Sequence, residues 1–175
     1  MLKGKKNYLV PIIGFALIIV VAAIILLLPG FNRMNLSLKE TLFTSVSAIT
    51  TTGFSNGPVS SNYTFLGQLI IAIEMEIGAL GFMVFISYFW YSKNKKIKLS
   101  DRDVINDGIG YSDDGMMRMH INFIVKFMVI VQIVAAILIS FAFIPKFGII
   151  SGVWKSIFIS ISAFSNCGLD NLRSF

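Results

Sequence analysis

The chain has 175 residues, 55% of them hydrophobic and only 14% charged, with a mean hydropathy of +0.79. That is too apolar for an ordinary soluble domain and reads as an all-α integral membrane protein. The net charge of +6 is carried by residues flanking apolar stretches, which anionic lipid head groups and membrane orientation explain better than nucleic acid, and no nucleic-acid partner is expected.

The first predicted span runs from about Tyr8 to Leu28 behind Lys3, Lys5 and Lys6. It is too long for a signal-peptide core and no small-residue cleavage site follows, so it reads as a retained anchor. Roughly twenty residues at 1.5 Å each cross a hydrocarbon core of about 30 Å. Pro29-Gly30 stops it. Ser37 can then cap a helix with Glu40 completing a capping box, and that helix, from about Leu38 to Ile49, is too short to cross. The stretch Ser45 to Asn56 is rich in Ser, Thr and Gly, poor material for a span. It suits a half-helix that ends in an extended loop. Thr51-Thr52-Gly53-Phe54-Ser55 has the residue order of a potassium filter strand: hydroxyls, glycine, aromatic, small residue.

A second span is predicted from about Thr64 to Tyr91, with Glu74 and Glu76 inside it. Acids within a span mark an ion path or a buried polar contact. The two lie roughly 200° apart on a helix, so at most one faces a given pore. Ile77-Gly78-Ala79-Leu80-Gly81 permits close approach of a neighbouring helix. Lys93, Lys95, Lys96 and Lys98 follow, with Arg102 and Arg118 further on. Together with the N-terminal lysines they place the N-terminus and this linker in the cytoplasm, so both half-helices enter from outside. The linker's acids, Asp101 to Asp114, match no EF-hand ligand order and read as a solvated connection or docking surface.

The third span runs from about His120 to Ile144, with His120 as an interfacial anchor and Lys126 snorkelling inward. Pro145 to Gly148 ends it. A second half-helix is expected from about Val153 to Phe164, followed by Asn166-Cys167-Gly168-Leu169-Asp170. Sliding the chain on itself aligns Lys39 to Asn56 with Trp154 to Asn171, which superposes Gly53 on Gly168 and Ser47-Ala48 on Ser162-Ala163. Such internal repetition is how many transport proteins place an ion site on a pseudo-symmetry axis. The expected organisation is a span–pore-helix–filter-loop–span repeat over 1–91, a cytoplasmic linker over 92–118, and a second repeat over 119–175 that stops after its filter loop.

This order resembles the Trk/Ktr/HKT superfamily of cation transporters. Three segments carry the resemblance: Ser47 to Ser55, Ile77 to Phe82 with Ala79 where the family usually has glycine, and Ser162 to Asp170. The resemblance implies a potassium-channel-like fold and uptake of potassium, sometimes sodium, through a pore of four such repeats. It also implies a homodimer in the cell membrane and, in bacteria, a cytoplasmic nucleotide-binding regulatory subunit. The filter positions it assigns are Thr51, Thr52, Gly53 and Phe54 in the first loop and Asn166, Cys167, Gly168 and Leu169 in the second. The transported ion is the metal it implies, and no bound cofactor. Half a filter cannot surround an ion, so the chain reads as an N-terminal portion of a transporter, a truncated gene product, or a subunit whose remainder lies elsewhere. A non-transporting membrane scaffold acting through its linker is the alternative. The residues show no nucleophile–base pair, metal-ligand cluster or phosphate-cradling loop, so an enzyme is not expected.

Overall fold

The computed structural model describes residues 9–81, 84 and 114–172, with side chains from residue 12 in the first segment and from residue 119 in the last. The N-terminal lysines, Phe82 and the linker up to Asp113 lie outside the described residues. Among those described there are helices and no strands, only two isolated bridges in the connection around Asn32.

Helix α1, Leu9–Leu27, consists wholly of apolar residues, Pro11 and Gly14. Proline is tolerated in a first turn because its missing N–H would have no helical partner there. At the other end, the Asn32 side-chain amide donates to the carbonyls of Leu26 (3.0 Å) and Leu27 (3.1 Å), two groups that the helix itself leaves without donors. The same corner is tied to the far side of the first unit by Arg33 N donating to Asn62 O and Thr64 Oγ1 donating to Gly30 O.

Helix α2, Leu38–Ile49, has the bounds expected from the capping box, and the box is formed. Ser37 N donates to Glu40 Oε2 at 2.8 Å while Glu40 N donates to Ser37 Oγ. A one-turn helix α3, Val59–Asn62, leads into α4, Phe65–Leu80. The span expected to reach Tyr91 is interrupted at Gly81, and apart from Val84 its remainder lies outside the described residues. Helix α4 stops at Leu80 because Gly81 takes φ 75°, a left-handed value that breaks the helical run. Hydropathy could not show the break, since Gly81 lies in an unbroken apolar stretch. Near the end of α4, Gly78 lies against the C-terminus of α2 so closely that a Cβ on it would run into the Ile49 carbonyl.

Helix α5, Asp114–Phe147, is longer than expected at both ends and runs through Pro145. Proline in the last turn costs one hydrogen bond, and the chain recovers at once, with Gly148 N donating to Ile144 O at 3.0 Å. Its portion Met119–Phe147 is, among the described residues, the one helix long and apolar enough to cross a membrane. Its outward apolar side chains, Phe123, Phe127, Ile130, Leu138 and Phe141, are more than half exposed, as hydrocarbon-facing residues should be. A single left-handed residue, Gly148, turns the chain into α6, Ile149–Phe164, which folds back along α5. The second short helix therefore starts four residues earlier than expected. The core formed by Leu26, Ala48, Tyr63, Ile71, Met75, Phe158, Cys167 and Leu169 draws on both halves of the chain and lies behind the two loops that follow α2 and α6.

Candidate functional site

Helices α2 and α6 end in the same way, 115 residues apart. In the first, the N–H groups of Thr50, Thr51 and Thr52 turn back to the carbonyls of Val46 (2.9 Å), Ala48 (3.2 Å) and Ser47 (2.9 Å). In the second, those of Ser165, Asn166 and Cys167 turn back to Ile161 (2.9 Å), Ala163 (3.1 Å) and Ser162 (3.0 Å). Each end is a Schellman motif, which needs a left-handed residue just past the cap. Thr51 supplies it at φ 52° and Asn166 at φ 55°. Asparagine tolerates that region. Threonine is β-branched, and for it this conformation is a true outlier held by its surroundings.

Two residues further along, Gly53 and Gly168 are again left-handed, at φ 83° and 80°. The motif fixes where the polar backbone groups go. The donors of 50–52 and 165–167 are committed to the helix ends, so what these segments offer outward is acceptors. Among the described residues, no donor is paired with the carbonyls of Thr51, Thr52, Asn166, Cys167 or Gly168. Each loop also sits at the C-terminal end of a helix dipole, where a cation is favoured.

The two loops touch. A Cβ on Gly53 would overlap the Cys167 carbonyl oxygen, and Cys167 Sγ reaches the Ser47 carbonyl at 3.8 Å. Gly168, by contrast, has open space where its Cβ would be. Side chains alternate along the second loop: Cys167, Leu169 and Asn171 are buried, while Asn166, Gly168 and Asp170 are exposed. In the first loop Thr52 and Phe54 are exposed, and Phe54 N donates to Ser47 Oγ at 2.6 Å. The structure thus brings Gly53 and Cys167 into direct contact. The aromatic ring of Phe54 and the side chain of Leu169 face opposite ways, one outward and one into the core.

Behind the loops are groups the sequence reading passed over or left open. Tyr63 is fully buried and its hydroxyl bonds Thr44 Oγ1 at 3.0 Å, holding α2 from the rear. Glu74 is buried on the side of α4 that meets α2, with the Ser45 hydroxyl as its polar neighbour and both of its oxygens without a hydrogen bond. Glu76 is only partly buried and neighbours Gln132 of α5, so the two acids face different helices. Gln68 and Trp154 also join the site. An amide inside an apolar span was the signal available for Gln68.

Known proteins with this sequence pattern are transporters. The family model described as TrkH, cation transport protein, matches residues 6–174. The potassium/sodium uptake protein NtpJ of Enterococcus hirae is 36% identical over 162 residues, covering 91% of this chain and 36% of that protein. The Ktr system potassium uptake protein B of Bacillus subtilis is 34% identical over 167 residues, covering 93% of this chain and 38% of that protein. Its namesake in Vibrio alginolyticus is 27% identical over 177 residues, 99% of this chain and 39% of that protein. The chain therefore spans a little over a third of the length of these relatives.

Proposed function

We propose, from the premise that the chain belongs to the TrkH family of cation transport proteins, that it supplies part of a potassium-uptake pore. In this reading α2 and α6 are pore helices and the loops after them are filter strands. Thr51, Thr52, Gly53 and Phe54, with Asn166, Cys167, Gly168 and Leu169, replace part of the ion's hydration shell with backbone carbonyls. The observation that carries it is the shared backbone course of the two loops. Left-handed residues at 51 and 53, and at 166 and 168, leave N–H groups spent and carbonyls available. No covalent chemistry is asked of the protein, and potassium or sodium is cargo rather than cofactor.

A complete ring of carbonyls needs more than two loops, and the family resemblance implies four such repeats, so in this reading further units complete the filter. The same reading makes the protein multi-pass, with a cytoplasmic N-terminus and both pore helices entering from outside. It divides the chain into a first repeat over 1–91, a linker over 92–118 and a second repeat from 119. Relatives named as parts of a Ktr system suit a transporter that works with other subunits, and this reading takes a cytoplasmic nucleotide-binding regulatory subunit as partner and a homodimer as the working assembly.

The experiment is potassium and sodium flux into vesicles carrying the intact natural polypeptide. Saturable potassium uptake that disappears in Gly53→Asp, with insertion unchanged, is the expected result. A well-inserted protein that carries neither ion overturns the reading.

A further inference from the structure

We propose that Gln68 is a positioning residue for the second loop, and that its side-chain amide sets how sharply the site separates potassium from sodium. The proposal rests on the potassium-uptake reading above.

Gln68 lies in the second turn of α4 and is only 6% exposed. A buried amide must place all of its polar groups or cost stability. This one places them on three different parts of the chain. Its Oε1 accepts from Trp154 Nε1 at 2.8 Å and from Asn171 Nδ2 at 3.1 Å, while its Nε2 donates to Tyr63 O at 3.2 Å. Trp154 belongs to α6, the helix that ends in the second loop. Asn171 is the residue three beyond Gly168 and is itself buried, and its backbone carbonyl accepts from Lys155 Nζ at 2.6 Å. Tyr63 leads on through its hydroxyl to Thr44 of α2. One carboxamide therefore joins the start of α6, the far end of the second loop and the rear support of the first.

Both ends of the second loop are then fixed. Its start is held by the Schellman motif of α6, and its end is held through Asn171 by Gln68 and Lys155. Slack at Asn171 moves Gly168 and Cys167, and the Cys167 carbonyl lies against Gly53, so the first loop feels the same displacement. Potassium and sodium differ little in radius. Functional groups must be held within about 0.5 Å of their working positions to express such a difference. A residue that only helped the protein fold would change the amount of inserted protein. A residue that sets carbonyl spacing changes the ratio between ions.

The test uses the intact natural polypeptide in vesicles, measuring potassium uptake with and without competing sodium, normalised to inserted protein. Gln68→Leu keeps the side chain's bulk and removes the acceptor and the donor. The loss of all three hydrogen bonds is expected to lower potassium-over-sodium discrimination about tenfold. Gln68→Glu, neutral in this buried position, retains an acceptor oxygen for Trp154 and Asn171 and an O–H donor for Tyr63 O, and is expected to stay within about twofold of wild type. Trp154→Phe removes one donor and keeps an aromatic ring against Phe65 and Phe158, and an intermediate loss of about threefold is expected.

Unchanged discrimination in an inserted Gln68→Leu protein overturns the proposal, as does a loss equal in Gln68→Leu and Gln68→Glu. If Gln68→Leu fails to insert, Trp154→Phe decides: wild-type discrimination there overturns it and a reduced ratio supports it. A wild-type protein that carries neither ion overturns the uptake reading and takes this proposal with it, which separates the two failures.

Discussion

Gly53 and Gly168 share a backbone conformation but not an environment, and that difference makes a sharp prediction. Alanine at either position must adopt φ near +80°, which costs an L-residue about 1–2 kcal/mol. At Gly168 this is the whole penalty, because the added methyl enters open space. Since 1.4 kcal/mol is about a factor of ten, Gly168→Ala should weaken potassium uptake by about tenfold. At Gly53 the methyl also overlaps the Cys167 carbonyl, a backbone atom that cannot rotate away. If the loops form the proposed filter, either must shift by more than an ion site tolerates, so Gly53→Ala should reduce uptake by about a hundredfold or more. The assay is initial uptake of potassium by vesicles carrying equal amounts of each inserted variant. The reasoning fails if Gly53→Ala transports as well as Gly168→Ala, or if the order is reversed.

Other consequences are more local. The hydrogen bonds from Ser37 to Glu40 hold the Glu40 carboxyl below its ordinary value of 4.5. A lowered folded-state value means the stabilisation is present above the ordinary carboxylate range and is lost as pH falls through the lowered value. Hydrogen exchange at the start of α2 should therefore quicken below about pH 4.5 in wild type and show no such step in Glu40→Gln. Removing the cap with Ser37→Ala should destabilise the protein by about 1 kcal/mol, read as a lower thermal midpoint in detergent. Tyr63→Phe deletes the hydroxyl on Thr44 and should cost about 1 kcal/mol by the same measurement, and an unchanged midpoint would show that this bond does not brace α2. Gly78→Ala drives a methyl into the Ile49 carbonyl and should cost about 1–3 kcal/mol, with a larger loss in Gly78→Val.

How much of this was legible depended on whether the signal was local. The start of α2 could be placed because Ser37 and Glu40 are three apart, the spacing of a capping box for a helix that begins at Leu38. The loop positions were legible because glycines recur 115 residues apart in matching surroundings. Gly81 and Pro145 misled in opposite directions. Gly81 ends α4 inside an apolar run where hydropathy continues, and Pro145 fails to end α5 because a proline in the last turn forfeits only one bond. The left-handed state of Thr51 was not legible at all, since a β-branched residue disfavours it and only the closed Schellman motif imposes it. The Gln68 to Trp154 bond spans 86 positions, and nothing local to either residue announces the other.

The unfavourable Thr51 conformation is informative in its own right. Glycine would satisfy the αL position at no cost, as it does at Gly53, yet a threonine stands there. Its neighbours show what the hydroxyl-bearing run contributes. Thr50 Oγ1 donates to Val46 O at 2.7 Å and contacts Thr52 Oγ1 at 2.7 Å, so the side chains stitch the turn to the last turn of α2. A glycine run would have none of these hydroxyl contacts and more backbone freedom. A threonine run spends conformational energy to keep the carbonyls in one place. On the second loop the same position is filled by Asn166, which tolerates αL with less strain, and there the bracing comes from outside, through Cys167 on Ser47 and Asn171 on Gln68. The two loops reach one backbone course by different means: the first is stiffened from within, the second from its partner. It follows that substitutions around Thr50–Thr52 should act first on the first loop and reach the second only through the Gly53–Cys167 contact, whereas those at Gln68 or Ser47 should register directly in the second.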